Sequence, residues 1–132
     1  MVYAAQLTAI VTVAMIVFTF ILGGRVGALR GKTGVAAPAT TGDPIFERAY
    51  RIHYNTIENL VITLPLMWLS VGVVGDLWAA VLGLLWLVGR VIYASAYMKE
   101  PSTRTTGMLI TLAATAILAL IVLGGAIRGL LA

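Results

Sequence analysis

Cysteine is absent from the 132 residues, which removes disulfides, thiolate metal sites and a built-in thiol nucleophile together. Any sulfur chemistry on this chain must use an imported thiol. Charge is scarce too: 11% of residues are Asp, Glu, Lys or Arg, where soluble domains carry about 25%. A single histidine with no cysteine leaves too few ligands for a zinc site. No strand pattern exists for a glycine-rich phosphate loop to follow. No basic stripe with interleaved aromatics supports nucleic-acid binding.

What the sequence has in quantity is hydrocarbon, with 61% hydrophobic residues and a mean hydropathy of +1.01. Too little polar surface remains to clothe a soluble globule, and far too much apolar surface is present for a disordered chain. The class left is a polytopic membrane protein of one domain, residues 1–132. A bilayer core about 30 Å thick needs roughly 20 apolar helical residues per span, so four spans would occupy about 80 to 100 residues. Four candidates are visible, at about 2–24, 44–71, 76–98 and 103–128, giving an all-α, four-transmembrane-helix bundle. The length of the first and its lack of a basic start argue against a cleaved signal peptide.

Between the first two spans the stretch RVGALRGKTGVAAPATTGDP reads as the one long loop, carrying Arg25, Arg30 and Lys32. Asp43 suits the cap of the second helix and Pro44 its first position, and Pro65 predicts a kink within it. Nine Lys and Arg against five Asp and Glu give a net charge of +4. The positive charges cluster in the first loop and at Lys99 and Arg104, whereas the turn after the second span holds only Asp76. The positive-inside rule therefore puts loops one and three in the cytoplasm and both termini outside.

The informative stretch is 46–59, because it feeds straight into an apolar span yet is full of ionisable groups. At 100° per residue, Arg48, Arg51, Asn55, Glu58 and Asn59 fall within roughly a 100° sector of one helix face. Glu58 lies about twelve residues, roughly 18 Å, inside the helix, where an unpaired carboxylate costs on the order of 3 kcal/mol. Pairing with an arginine is expected. In the third span Trp86, Arg90, Tyr93 and Tyr97 share a face, with Arg104 seven residues on. Neither stripe can face lipid, so the two predict a shared hydrated pocket suited to a small zwitterion with more negative than positive charge. His53 falls on the opposite face and reads as a packing residue, and the scattered methionines read as core. Thr8, Thr12, Met15 and Thr19 mark a close-packing face of the first helix, and Gly125 and Gly129 match a small-xxx-small contact.

With Glu47-Arg48-x-x-Arg51-x-His53-x-Asn55-x-x-Glu58-Asn59, then Arg90-x-x-Tyr93-x-x-x-Tyr97 and Arg104, the chain resembles the MAPEG family, the membrane-associated proteins of eicosanoid and glutathione metabolism. The resemblance covers nearly the whole chain. It implies a homotrimer in the bilayer with a glutathione site at each subunit interface. Arg51, Asn55 and Glu58 would come from one subunit, with Arg48, Asn59, Arg90, Tyr93 and Tyr97 also at the ligand. Arg30 and Arg104 would approach from the neighbouring subunit, Arg104 as the catalytic arginine that stabilises the thiolate. The chain departs from the family pattern at Pro65, which follows Glu58 by seven residues rather than about four, and at Asn59, where some synthases have tyrosine.

The implied activity is addition of glutathione to a lipophilic electrophile, or use of glutathione to reduce it; a non-catalytic lipid- or thiol-binding protein of the same fold is the alternative. A small multidrug transporter also has four spans, but it needs a carboxylate in its first, and 2–24 contains none.

Overall fold

The computed structural model describes residues 4–132. Four helices, each long and apolar enough to cross a membrane, run up and down: α1 Gln6–Thr33, α2 Pro44–Val74, α3 Asp76–Lys99 and α4 Thr105–Leu131, with a 3-10 turn at Pro101–Arg104 before α4. The chain is thus an all-α membrane protein. The start expected near residue 2 lies outside the described residues.

The first helix corrects the sequence reading. It runs through Gly24 and ends only at Gly34, whose φ of +74° is the left-handed conformation that glycine adopts without strain. The Gly34 N–H closes the helix on the carbonyl of Arg30 at 3.1 Å. Packing sustains the extension, because Val26 is buried with Val35, Phe46 and Ala49, and Leu29 lies against them. Arg25, Arg30 and Lys32 are therefore helical, and the connection shrinks to residues 34–43. At 28 residues α1 is about 42 Å long, roughly 12 Å more than an upright crossing of a bilayer core needs.

The start of α2 follows its sequence: Asp43 Oδ1 accepts from the N–H groups of Ile45 and Phe46, both at 2.9 Å, and Pro44 occupies the first turn. The helix continues through Pro65 to Val74, so the following turn reduces to Gly75 at φ +84°. Asp76 then begins α3 and reaches across the bundle. Its two carboxylate oxygens accept from the backbone N–H groups of Leu7 at 2.9 Å and Thr8 at 2.8 Å. One acidic side chain thereby caps the exposed donors of a different helix.

α2 and α3 form the centre, each packing against both α1 and α4. Their core is apolar, with Met15, Met67, Trp86 and Leu118 fully buried. Buried threonines hide their hydroxyls by donating to the carbonyl one turn back, as Thr19 does to Met15 and Thr111 to Gly107, both at 2.9 Å. Thr8, Met15 and Thr19 are indeed buried on one face of α1. The tightest approach lies between α3 and α4, where a Cβ on Gly107 would run into the backbone of Tyr93 and the carbonyl of Gly89. That contact fixes α4 beside the tyrosines of α3. Gly125 meets the Val73 side chain, whereas Gly129 faces open space, so only half of the expected small-residue pair is used.

Candidate functional site

The polar stripes of α2 and α3 come together at the end of the bundle where α1 joins α2 and α3 joins α4. Between them lies a cavity of about 550 Å³, lined from α2 by Arg51, Tyr54, Asn55, Glu58 and Asn59 and from α3 by Arg90, Tyr93 and Tyr97; Arg104, Met108 and Leu112 complete it. Three arginines face one carboxylate, an excess of positive charge that suits an anionic guest.

Arg90 is the anchor. Only 1% of it is exposed, and its Nη2 donates to Asn55 Oδ1 at 3.0 Å and to Thr56 Oγ1 at 2.8 Å. Its guanidinium carbon sits 4.0 Å from the centre of the Tyr93 ring. Asn59 Nδ2 in turn donates to the Asn55 carbonyl at 2.9 Å, so the Asn55 amide is held from both sides. What Arg90 lacks is a carboxylate, and its buried Nε has no hydrogen-bond partner among the described residues. A fully desolvated cation satisfied only by neutral oxygens costs free energy that a bound anion offsets.

Tyr93 and Tyr97, one turn apart, tilt together with ring centres 5.6 Å apart. Beyond them the Arg104 guanidinium lies 5.2 Å over the Tyr97 ring. The result is an alternating stack of cation, ring, ring and cation along one wall, in which each aromatic face holds a guanidinium by attraction to its π-cloud. Within the single chain Arg104 lines this cavity, carried there by the turn Pro101–Arg104 and the close α3–α4 packing.

Arg30 and Arg48 do not line this cavity. Arg30 Nη1 donates to the carbonyls of Val35 at 3.1 Å and Ala39 at 2.8 Å, with the guanidinium 4.7 Å from the Phe46 ring, so it gathers in the α1–α2 connection. Arg48 Nη1 donates to the carbonyls of Met98 at 3.2 Å and Lys99 at 3.1 Å, tying α2 to the C-terminal end of α3. Carbonyls left free at helix ends and in loops claim both side chains, and a side-chain pattern cannot show such acceptors. Glu58 departs from expectation as well: its side chain is exposed at the cavity, and no residue among those described forms an ion pair with it.

His53 lies away from the cavity between α1 and α2, flat against Gly23, where an added Cβ would stand 3.0 Å from Nε2. No group of three metal-binding side chains gathers among the described residues. Sequence reasoning missed Tyr54, Thr56, Met108 and Leu112. Thr56 neighbours Asn55 but lies off the stripe; Met108 and Leu112, one turn apart, carried a signal only as apolar residues following Arg104.

Comparison with known proteins gives the chain its family and relatives. The sequence profile of the MAPEG family matches residues 8–124. An uncharacterized protein of Synechocystis sp. is 40% identical over 105 residues, covering 80% of this chain and 74% of its own. Microsomal glutathione S-transferase 2 of Homo sapiens is 36% identical over 97 residues, covering 74% and 66% respectively. Leukotriene C4 synthase of Bos taurus is 33% identical over 94 residues, covering 64% and 63%. The chain thus matches just under two thirds of the length of the last two relatives.

Proposed function

Because the chain belongs to the MAPEG family, we propose that it is a glutathione-dependent membrane transferase that joins the glutathione thiolate to a lipophilic electrophile drawn from the bilayer. The observation that carries this reading is Arg90, buried without a carboxylate partner in a cavity it shares with Arg51 and Arg104. Glutathione brings two carboxylates and one ammonium, so three arginines and Glu58 complement it in sign and number. The relatives named for glutathione transfer and leukotriene C4 synthesis support the same chemistry.

The reaction needs an ionised thiol. A free thiol has a pKa of about 8.5, and lowering it by two units takes roughly 2.7 kcal/mol of preferential thiolate stabilisation. One arginine about 4 Å from the sulfur supplies about 4 kcal/mol at an effective dielectric constant of 20. Arg104 is assigned that role, since it stacks on Tyr97 with no hydrogen bond of its own among the described residues. Tyr93 or Tyr97 adds a hydroxyl donor. The thiol proton leaves to solvent, a sulfur–carbon bond forms, and the electrophile opens or loses its leaving group. Met108 and Leu112 give the cavity an apolar side for that partner.

The assembly assigned to this site is a homotrimer. Exposure of Glu58 in the single chain supports it, because an uncovered carboxylate at that depth costs about 3 kcal/mol against lipid. The cytoplasmic side is assigned to loops one and three because Arg25, Arg30 and Lys32 at the end of α1, with Lys99 and Arg104, gather positive charge at that end of the bundle. Purified protein should conjugate glutathione to an activated aryl halide in detergent or liposomes; absence of both conjugation and hydroperoxide reduction across several electrophiles contradicts the enzyme. A second reading, binding without turnover, is separated by Arg104→Ala, which in a transferase loses turnover and keeps most of its affinity.

A further inference from the structure

From Gln6 to Gly24 the first helix carries no charged side chain, and then Arg25, Arg30 and Lys32 follow. Arg25 therefore marks the depth at which α1 leaves the hydrocarbon. Arg30 turns inward to the carbonyls of Val35 and Ala39. Arg25 and Lys32 do not. Both are exposed, and neither finds an acceptor among the described residues. The acids at this end are engaged elsewhere: Asp43 caps α2, Glu47 accepts the Gly42 N–H and Glu100 accepts the Ser102 hydroxyl. Those carboxylates are thus committed to backbone and hydroxyl donors rather than to these two cations.

The pair stands seven residues apart, about 10 Å along the axis and only about 20° around it, so one lies above the other on a single face. That face is exposed along its length: Ile10, Val17 and Ile21 lead up to Arg25, and Ala28 lies between the cations. Gly24 and Gly31 border it, and a Cβ at either would meet nothing within 4 Å. Small residues thereby leave a shallow notch between two positive heads, with an apolar strip running from it into the membrane. Helical side chains lean toward the N-terminus, so Lys32 leans back toward Arg25 and the bilayer. The face also points away from α2. Gly23, against which His53 lies, is about 160° round the helix from Arg25, so a second copy seated on α2 approaches from the opposite side of α1.

We propose that this flank of α1 is a binding site for an anionic phospholipid, its phosphate held between Arg25 and Lys32 over Ala28 and its acyl chains lying along Ile21, Val17 and Ile10. Charge decides the class of lipid. Both side chains are donors only and suit phosphate oxygens, whereas an ammonium on the same headgroup would face two like charges. Headgroups of net negative charge are therefore selected over zwitterionic ones.

Thermal unfolding of the full chain in neutral detergent micelles tests this, with phosphatidylglycerol or phosphatidylcholine of identical acyl chains added in increasing mole fraction. The wild-type midpoint should rise with phosphatidylglycerol, half of the rise coming at a mole fraction about 10-fold or more below that for phosphatidylcholine. Each cation at headgroup depth is worth roughly fivefold in affinity for an anionic lipid, so Arg25→Gln and Lys32→Gln should each cut the preference by about that factor. Arg128→Gln removes the same charge from the far end of the bundle and should keep the preference within about twofold. A wild type that responds alike to both lipids overturns the proposal without any variant. So does a loss in Arg128→Gln equal to that in Arg25→Gln, which would reduce the effect to net charge. Equal stabilisation by soluble glycerol phosphate at the same concentration would give the two cations to a free anion and overturn the lipid site as well.

Discussion

Asp76 and Arg90 lie on the same helix, and their charges are handled in opposite ways. At the α2–α3 end the Asp76 carboxylate is consumed by backbone donors of α1, with both oxygens engaged. At the other end Arg90 is buried deeper, yet it meets only an amide and a hydroxyl oxygen and keeps one nitrogen orphaned. A satisfied charge holds helices together, whereas a buried charge left without a carboxylate suits the partner from outside proposed above. The two ends should therefore fail differently when mutated, one in stability and the other in binding and turnover.

The largest expected effect is at Arg104. Arg104→Ala should lower turnover by about 10²–10³-fold, the loss seen when one donor to a developing anion is removed. Glutathione affinity should stay within about threefold, and steady-state kinetics with titration of both proteins checks the split. Next is Arg90→Leu, which should weaken glutathione by at least about 100-fold, roughly 2.7 kcal/mol. Thermal stability without ligand should be unchanged or higher, because an apolar side chain avoids burying an uncompensated cation. A collapse of ligand-free stability in Arg90→Leu would erase the contrast between the two ends.

Asp76→Ala is the mirror experiment. Loss of two charge-assisted bonds to the α1 donors should cost about 2 kcal/mol of unfolding free energy and leave glutathione affinity as it was. Denaturation in mixed micelles reads the first and calorimetry the second. The smallest effect is expected at Thr63→Val, which breaks the 2.9 Å hydroxyl contact with Thr115 between α2 and α4. It should cost about 0.6 kcal/mol, typical of hydrogen bonds between membrane helices, with binding and turnover intact.

The four spans were legible because hydrocarbon thickness sets a length that apolar runs must meet, and the start of α2 because Asp43 and Pro44 carry a capping signal. The site stripes were legible for the same kind of reason: helical periodicity puts Arg51, Asn55, Glu58 and Asn59 on one face, and Arg90, Tyr93 and Tyr97 on another. What escaped the sequence depended on the backbone. Gly34 ends α1, but several earlier glycines offer equally good stops, and only the packing of Val26 and Leu29 carries the helix past them. Arg30 and Arg48 lie outside the cavity of the single chain, where backbone carbonyls at 2.8–3.2 Å that no side-chain pattern reveals hold them. Asp76 read as a lone turn charge because its partners lie in α1, remote in sequence. Arg104 joined its own chain's cavity because Gly107 lets α4 press against Tyr93, a contact that a glycine in sequence does not announce.

The most direct test of the claim that these unpaired cations hold a charged tripeptide is thermal unfolding of the solubilised protein across a glutathione titration, wild type beside Arg90→Leu. The account predicts that the wild-type midpoint climbs with ligand, reaching about 2.7 kcal/mol of added stability at a hundredfold excess over Kd, while the variant does not respond. A flat wild-type titration, or an equal climb in both proteins, would contradict it.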